Sequence, residues 1–178
     1  MNKLLIFSDM DGTIDRAGIA DFINLFDLVG KYCDKKGYDD FSFNIVTGAG
    51  DNCRTLYTET FLFIKKKTGR DISHQVFTGL SSEDKLYVID SVVSSEALPK
   101  DYNEEVDDDI ELAKEVIFFD DCPHESLKGD TGKEFFECQY DIEYTCVIPS
   151  NNINSLISHF EEQLTKDDAK SPFKKVNN

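Results

Sequence analysis

The sequence predicts an α/β fold with a mainly parallel five-stranded sheet layered by helices, and three observations carry that prediction. Short β-compatible apolar runs alternate along the chain with longer segments of helical period. The run Leu4-Leu5-Ile6-Phe7 is followed at once by Asp9-Met10-Asp11-Gly12-Thr13, and the run Val116-Ile117-Phe118-Phe119 by Asp120-Asp121. Two apolar strands thus end on paired carboxylates, and open α/β sheets bind ligands at the carboxyl ends of their strands. With 178 residues, 40% of them hydrophobic and 14 of them Phe, the chain fills one core as one ordinary domain.

Each element follows in order. After the first strand, Ile19, Phe22, Ile23, Phe26, Val29 and Cys33 recur at helical spacing, and Gly37 stops the helix. Residues 41–46 read as the second strand, ending at Thr47-Gly48-Ala49-Gly50. A second helix over about 51–67 carries Cys53, Leu56, Tyr57, Thr60, Phe61 and Ile64 on one face, and Lys65, Lys66 and Lys67 complement the dipole at its carboxyl end. Residues 74–77 form a third strand ended by Thr78-Gly79. A helix opening near Ser82 then turns Leu86, Ile89, Val92, Val93 and Ala97 inward, with Lys85 in its first turn. The acidic stretch 101–111 is a solvated loop or helix start. The strand at 116–119 follows, then a fifth at 144–148, and after Pro149 a helix with Ile153, Leu156, Ile157, Phe160 and Leu164 on one face. Residues 1–165 are the core, and 166–178 a polar C-terminal tail.

Charge and cysteine content narrow the function classes. A formal charge of -16 and a pI near 4.4 disfavour nucleic acid and make divalent cations the natural partners. The five cysteines Cys33, Cys53, Cys122, Cys138 and Cys146 are scattered, odd in number and without a C-x-x-C pair, so they read as free thiols of a reducing compartment. The apolar run at the N-terminus is too short for a signal peptide, and no stretch reaches membrane-spanning length. The chain therefore reads as cytoplasmic, with no membrane partner.

Three strand ends carry, in order, Asp-x-Asp, Thr and Asp-Asp, with a helix-opening lysine before the last of these strands. This resembles the haloacid dehalogenase-like (HAD) superfamily of phosphohydrolases over roughly residues 1–150. The family's DxDx(T/V) motif is matched by Asp9, Asp11 and Thr13, its Thr after a strand by Thr47, and its acidic pair by Asp120 and Asp121. Its lysine motif is matched by Lys85, which lies farther before the acidic pair than is usual. Lys100 is the alternative, nearer to that pair but in a loop after Pro99. The resemblance implies a Rossmann-like three-layer sandwich and a hydrolase acting on phosphoric monoesters. Only residues 14–41 separate the first motif from the second strand, and the stretch 48–84 is consumed by a helix and a short strand. No large cap domain is expected, so the chain is similar to the capless type, whose phosphorylated substrates are often macromolecular or whose oligomers close the site.

The chemistry can also be built from the residues. A carboxylate attacks a phosphoryl group only when a cation neutralises both, and magnesium (Mg2+) binds through one or two carboxylates plus the phosphate. Asp9 is then nucleophile and metal ligand, forming an aspartyl phosphate. Asp11 protonates the leaving oxygen and later activates water, while its backbone carbonyl faces the metal as in the family. Thr47 and Lys85 hold the transferring oxygens. Asp120 and Asp121 complete the metal shell, one directly and the other through water.

Other readings stand beside this one. A catalytically weak HAD-fold binding or regulatory module would keep the fold without needing a paired nucleophile and acid. A response-regulator receiver domain also gathers acids, Thr and Lys around magnesium, but it would put its acidic pair after the first strand. Arg16, Asn52 and Arg54 are placed to touch a substrate. His74, His124 and His159 are unclustered, with only His124 near the acidic pair, and Cys122 reads as a small buried thiol.

Overall fold

The structure, a computed structural model, describes residues 1–70, 72–104 and 110–166. Its elements run β1 (Asn2–Ser8), α1 (Ile19–Lys36), β2 (Asp40–Val46), α2 (Asn52–Thr68), β3 (Val76–Phe77), α3 (Ser82–Glu96), β4 (Leu112–Phe119), a 3-10 turn (Glu125–Leu127), α4 (Gly129–Gln139), β5 (Glu143–Val147) and α5 (Asn152–Thr165). The five strands pair in parallel in the order β3-β2-β1-β4-β5, the α/β architecture expected.

Side-chain alternation along the central strands makes the three layers. Leu4 and Ile6 of β1 join Phe43, Ile117 and Phe119 under α1, α2 and α5, while Leu5 and Phe7 join Val46, Val116 and Phe118 under α3 and α4. The first layer is an aromatic cluster in which Phe22 meets Phe61 edge-on at 5.3 Å and Phe26 meets Phe43 at 5.3 Å. Full burial of each such ring stabilises the fold by about 1.5–3 kcal/mol.

Three expectations need correction, and one element is new. The third strand is only Val76–Phe77, with an isolated bridge from Ser42 to Ser73, because the Gln75 N–H donates to the Asn44 side chain at 3.1 Å rather than to a strand carbonyl. Leu56 does not share the buried face of α2, which is Cys53, Tyr57, Phe61 and Ile64; it is 60% exposed. Cys122 is exposed, although all five cysteines are free as expected. Helix α4 was not foreseen. Its Gly132 suggests a loop, yet a Cβ there would lie 2.5 Å from the Leu127 carbonyl oxygen and 2.8 Å from the Tyr144 ring, so glycine is what lets α4 close on β5. The expected acidic loop falls partly, at 105–109, and the polar tail almost wholly, at 167–178, outside the described residues. No helix among the described residues is long and apolar enough to cross a membrane.

Candidate active site

Strand order decides where the acids meet. From β1 the chain steps outward to β2 and β3, then returns across β1 to β4 and outward to β5, so its direction of travel reverses between β1 and β4. Such a switch point opens a crevice at the carboxyl ends of the two strands. Asp9 and Asp120 are the first residues past β1 and β4, and they lie at that crevice. Backbone bonds carry the sheet's order one residue into the site. The Asp9 N–H donates to the Phe119 carbonyl at 2.8 Å, that of Asp120 to Val147 at 3.3 Å, and that of Thr47 to Phe77 at 3.0 Å.

Lys85 joins the two acids. Its position is set by a capping box, in which the Ser81 hydroxyl accepts from the Asp84 N–H and the Asp84 carboxylate accepts from the Ser81 N–H, both at 3.1 Å. One turn into α3, the Lys85 Nζ lies 2.8 Å from Asp120 Oδ2 and 3.1 Å from Asp9 Oδ1. All three residues are buried, Asp120 with 1% of its surface exposed. Burial works against the Lys85 ammonium, but the hydrogen bond and charge of Asp120 and the charge of Asp9 outweigh it and hold its pKa above the ordinary lysine value. Burial pushes the Asp120 carboxyl up, opposed by Lys85 and by the Cys122 N–H, which donates to Asp120 Oδ1 at 2.8 Å.

The acceptors of this cluster are not used up. Asp9 Oδ1 meets only the Lys85 ammonium, at 3.1 Å, among its polar neighbours, and the buried Thr13 hydroxyl has no hydrogen-bond partner among the described residues. Asp121, exposed, completes a group: one oxygen each of Asp9, Asp120 and Asp121 lies within 4.8 Å of the others. Three carboxylates against one ammonium leave two uncompensated negative charges. Oxygen-only ligands with that charge fit a hard divalent cation.

Gly12 is the positional requirement that the sequence reading passed over. It has φ +70°, which strains any other side chain, and a Cβ there would come within 2.8 Å of the Asp121 carboxyl carbon and displace that carboxylate.

The remaining expected site residues are placed as follows. Asp11 is exposed on the same loop, its carboxylate outside the three-acid group. The buried Thr47 hydroxyl accepts from the Ala49 N–H at 3.2 Å. Lys100 lies elsewhere: its N–H donates to the Gln139 carbonyl, and it lines a cleft with Asp130, Lys133 and Glu134 of α4. Arg54 donates to the Thr78 hydroxyl at 3.2 Å while Thr78 binds Asp51, which ties α2 to the loop after β3. Arg16 is exposed beside Asp15. His124 caps the 3-10 turn, accepting from Ser126 N–H at 3.2 Å. Cavity size does not find this site, since a cleft of about 490 Å³ lined by Asp27, Gly30, Asp34 and Arg70 opens at the opposite, amino end of β2.

No protein-family model, curated protein or solved structure matches the chain.

Proposed function

We propose that this chain is a magnesium-dependent phosphomonoester hydrolase of the capless HAD-like type, working through an aspartyl phosphate on Asp9. The observation that carries the reading is the convergence of Asp9, Lys85 and Asp120 from three separate elements, with Asp121 alongside as a third carboxylate against one ammonium. Asp9, Asp120 and Asp121 would hold the metal, which when bound neutralises the carboxylates and the phosphate so that like charges can meet.

The remaining work belongs to the chain. Asp9 attacks phosphorus and the bond to the leaving oxygen breaks, while Asp11, exposed at the mouth, gives that oxygen its proton. Asp11 then takes a proton from the water that attacks the aspartyl phosphate, releasing phosphate and restoring Asp9. Lys85 keeps the acids from repelling each other and the incoming dianion. Thr47, at the end of β2, offers a hydroxyl to a phosphoryl oxygen.

The test is hydrolysis of an aryl phosphate by the purified chain, with magnesium, after chelation, and after magnesium is restored. Activity is expected in the first and last conditions only. Asp9→Asn should cut turnover on the order of 10⁴-fold or more, the scale of losing a nucleophile. Asp11→Asn should cost about 10²–10⁴-fold, the scale of losing a general acid/base. Turnover that survives Asp9→Asn would remove the nucleophile assignment and the reading with it.

A further inference from the structure

The outer face of α2 does not resemble the rest of this acidic chain. Opposite its buried stripe, Leu56, Leu62 and Phe63 are 60%, 53% and 49% exposed, and Lys66 and Lys67 are exposed just beyond them. At 100° per residue, Asn52, Leu56, Glu59, Leu62, Phe63, Lys66 and Lys67 fall on one continuous side of the helix. Glu59 is the only acid in the whole of α2. A run of large apolar side chains leading to cations marks a recognition surface, whereas single exposed apolar residues need no explanation. The stripe also has a direction. Its first residue, Asn52, lies five residues after Thr47, at the carboxyl end of β2 where the site opens.

We infer that this face of α2 docks a segment of the protein that carries the phosphate, an extended stretch with apolar residues followed by acidic ones. The inference rests on the phosphatase reading for the phosphate chemistry alone. Charge complementarity names the occupant: the lysine end of α2 is a local basic patch on a chain of net charge -16. A narrow segment can follow α2 and meet little else. A flat anionic surface would also meet the rest of a chain of net charge -16, so a membrane fits less well. Geometry sets the spacing. From Asn52 to Lys66 the helix rises about 21 Å, which an extended chain covers in roughly six or seven residues at about 3.3 Å each. The acids of the partner segment therefore lie at least six or seven residues from its phosphorylated residue, which has still to reach past Asn52 to Asp9.

Two probes separate this inference from the reading beneath it. The first is a fluorescent, unphosphorylated peptide with two apolar residues and a following Asp/Glu triplet; the second is the same peptide with a phosphoserine six residues before the triplet. The full chain should bind the first peptide, and Lys66→Glu with Lys67→Glu should weaken that binding at least tenfold while a peptide with Lys in place of the acids regains it. Leu56→Ser with Phe63→Ser should weaken it similarly. On the phosphorylated peptide the lysine variants should raise KM with kcat unchanged, and leave aryl phosphate hydrolysis as it was. Peptide binding by a chain that hydrolyses neither the phosphopeptide nor an aryl phosphate would keep the docking face and overturn the phosphatase reading. Absence of peptide binding, binding indifferent to the charge reversal, capture on phosphatidylserine vesicles that the peptide does not displace, or a dimer that the Leu56/Phe63 variant dissociates would each overturn the docking inference.

Discussion

Two buried acidic clusters sit at opposite ends of β4, and they differ in whether their oxygens are satisfied. Toward the amino end, Glu115 is 5% exposed, and both of its oxygens accept from the Tyr32 hydroxyl, at 2.8 and 2.9 Å, while Tyr38 donates at 3.0 Å and Lys36 stands 4.0 Å away. Burial first, and Glu115 second, push both phenols well above the ordinary tyrosine value, so they remain donors. At the carboxyl end, two buried acids share one lysine, and a third carboxylate crowds in. The first cluster is complete without a ligand. The second has acceptors and negative charge to spare, and that surplus, not burial, separates a site from a structural acid.

The largest way to break this contrast is to remove the cation from the carboxyl-end cluster. Lys85→Met leaves Asp9 and Asp120 buried with no positive partner, and breaking a buried pair from one side costs about 3–5 kcal/mol. Denaturant unfolding should show a loss of that size without magnesium, whereas Lys100→Met, which touches neither acid, should change stability by less than about 0.5 kcal/mol. Comparable losses in the two variants would mean that Lys85 does not hold the acids together.

Metal addition sharpens the same comparison. A cation that binds only the folded cluster raises stability by about 2.7 kcal/mol at a hundredfold excess over its Kd. Thermal melts should therefore rise with magnesium in the wild type and in Glu115→Gln, and stay flat in Asp121→Asn. A rise that persists in Asp121→Asn would place the cation away from the three acids.

These two clusters were not equally legible. Asp9 and Asp120 could be read because strand and acid are adjacent in sequence, so one local pattern holds both the burial and the chemistry. Lys85 could be read only as a lysine opening a helix; the S-x-x-D pattern of Ser81 and Asp84 marks where that helix starts, but its partner Asp120 is 35 residues away and no local pattern joins the two. Glu115 could not be read at all. It precedes an apolar run like any strand-entry charge, and its donors come from α1 and the turn after it. The buried face of α2 was legible in Cys53, Tyr57, Phe61 and Ile64, but Leu56 was wrongly added to it: Cys53, Leu56, Tyr57, Phe61, Leu62, Phe63 and Ile64 run most of the way around the helix, so period alone does not fix the edge of the buried stripe. Gly132 hid α4, since a glycine demanded by close packing is the same letter as one demanded by a turn.

The smallest expected effect tests the complete cluster. Burial, ahead of the opposing Lys36 charge and tyrosine hydrogen bonds, raises the Glu115 pKa above its ordinary 4.5. The folded chain therefore keeps that proton to a higher pH than the unfolded chain does. Its contribution to stability is fully present below pH 4.5 and is lost as pH rises through the folded value. Glutamine does not titrate, and it keeps one oxygen as an acceptor for the tyrosines. Glu115→Gln should then gain on the wild type as pH rises from about 4 to 8. Calorimetric melts of the two proteins across that range give the difference directly, and taking the difference removes most of the general repulsion of a chain at charge -16. A difference that shrinks with pH would show that Tyr32 and Tyr38 stabilise the ionised acid by more than burial costs it. Glu115 would then be a fully compensated charge, and the two ends of β4 would differ in the number of donors supplied to each carboxylate.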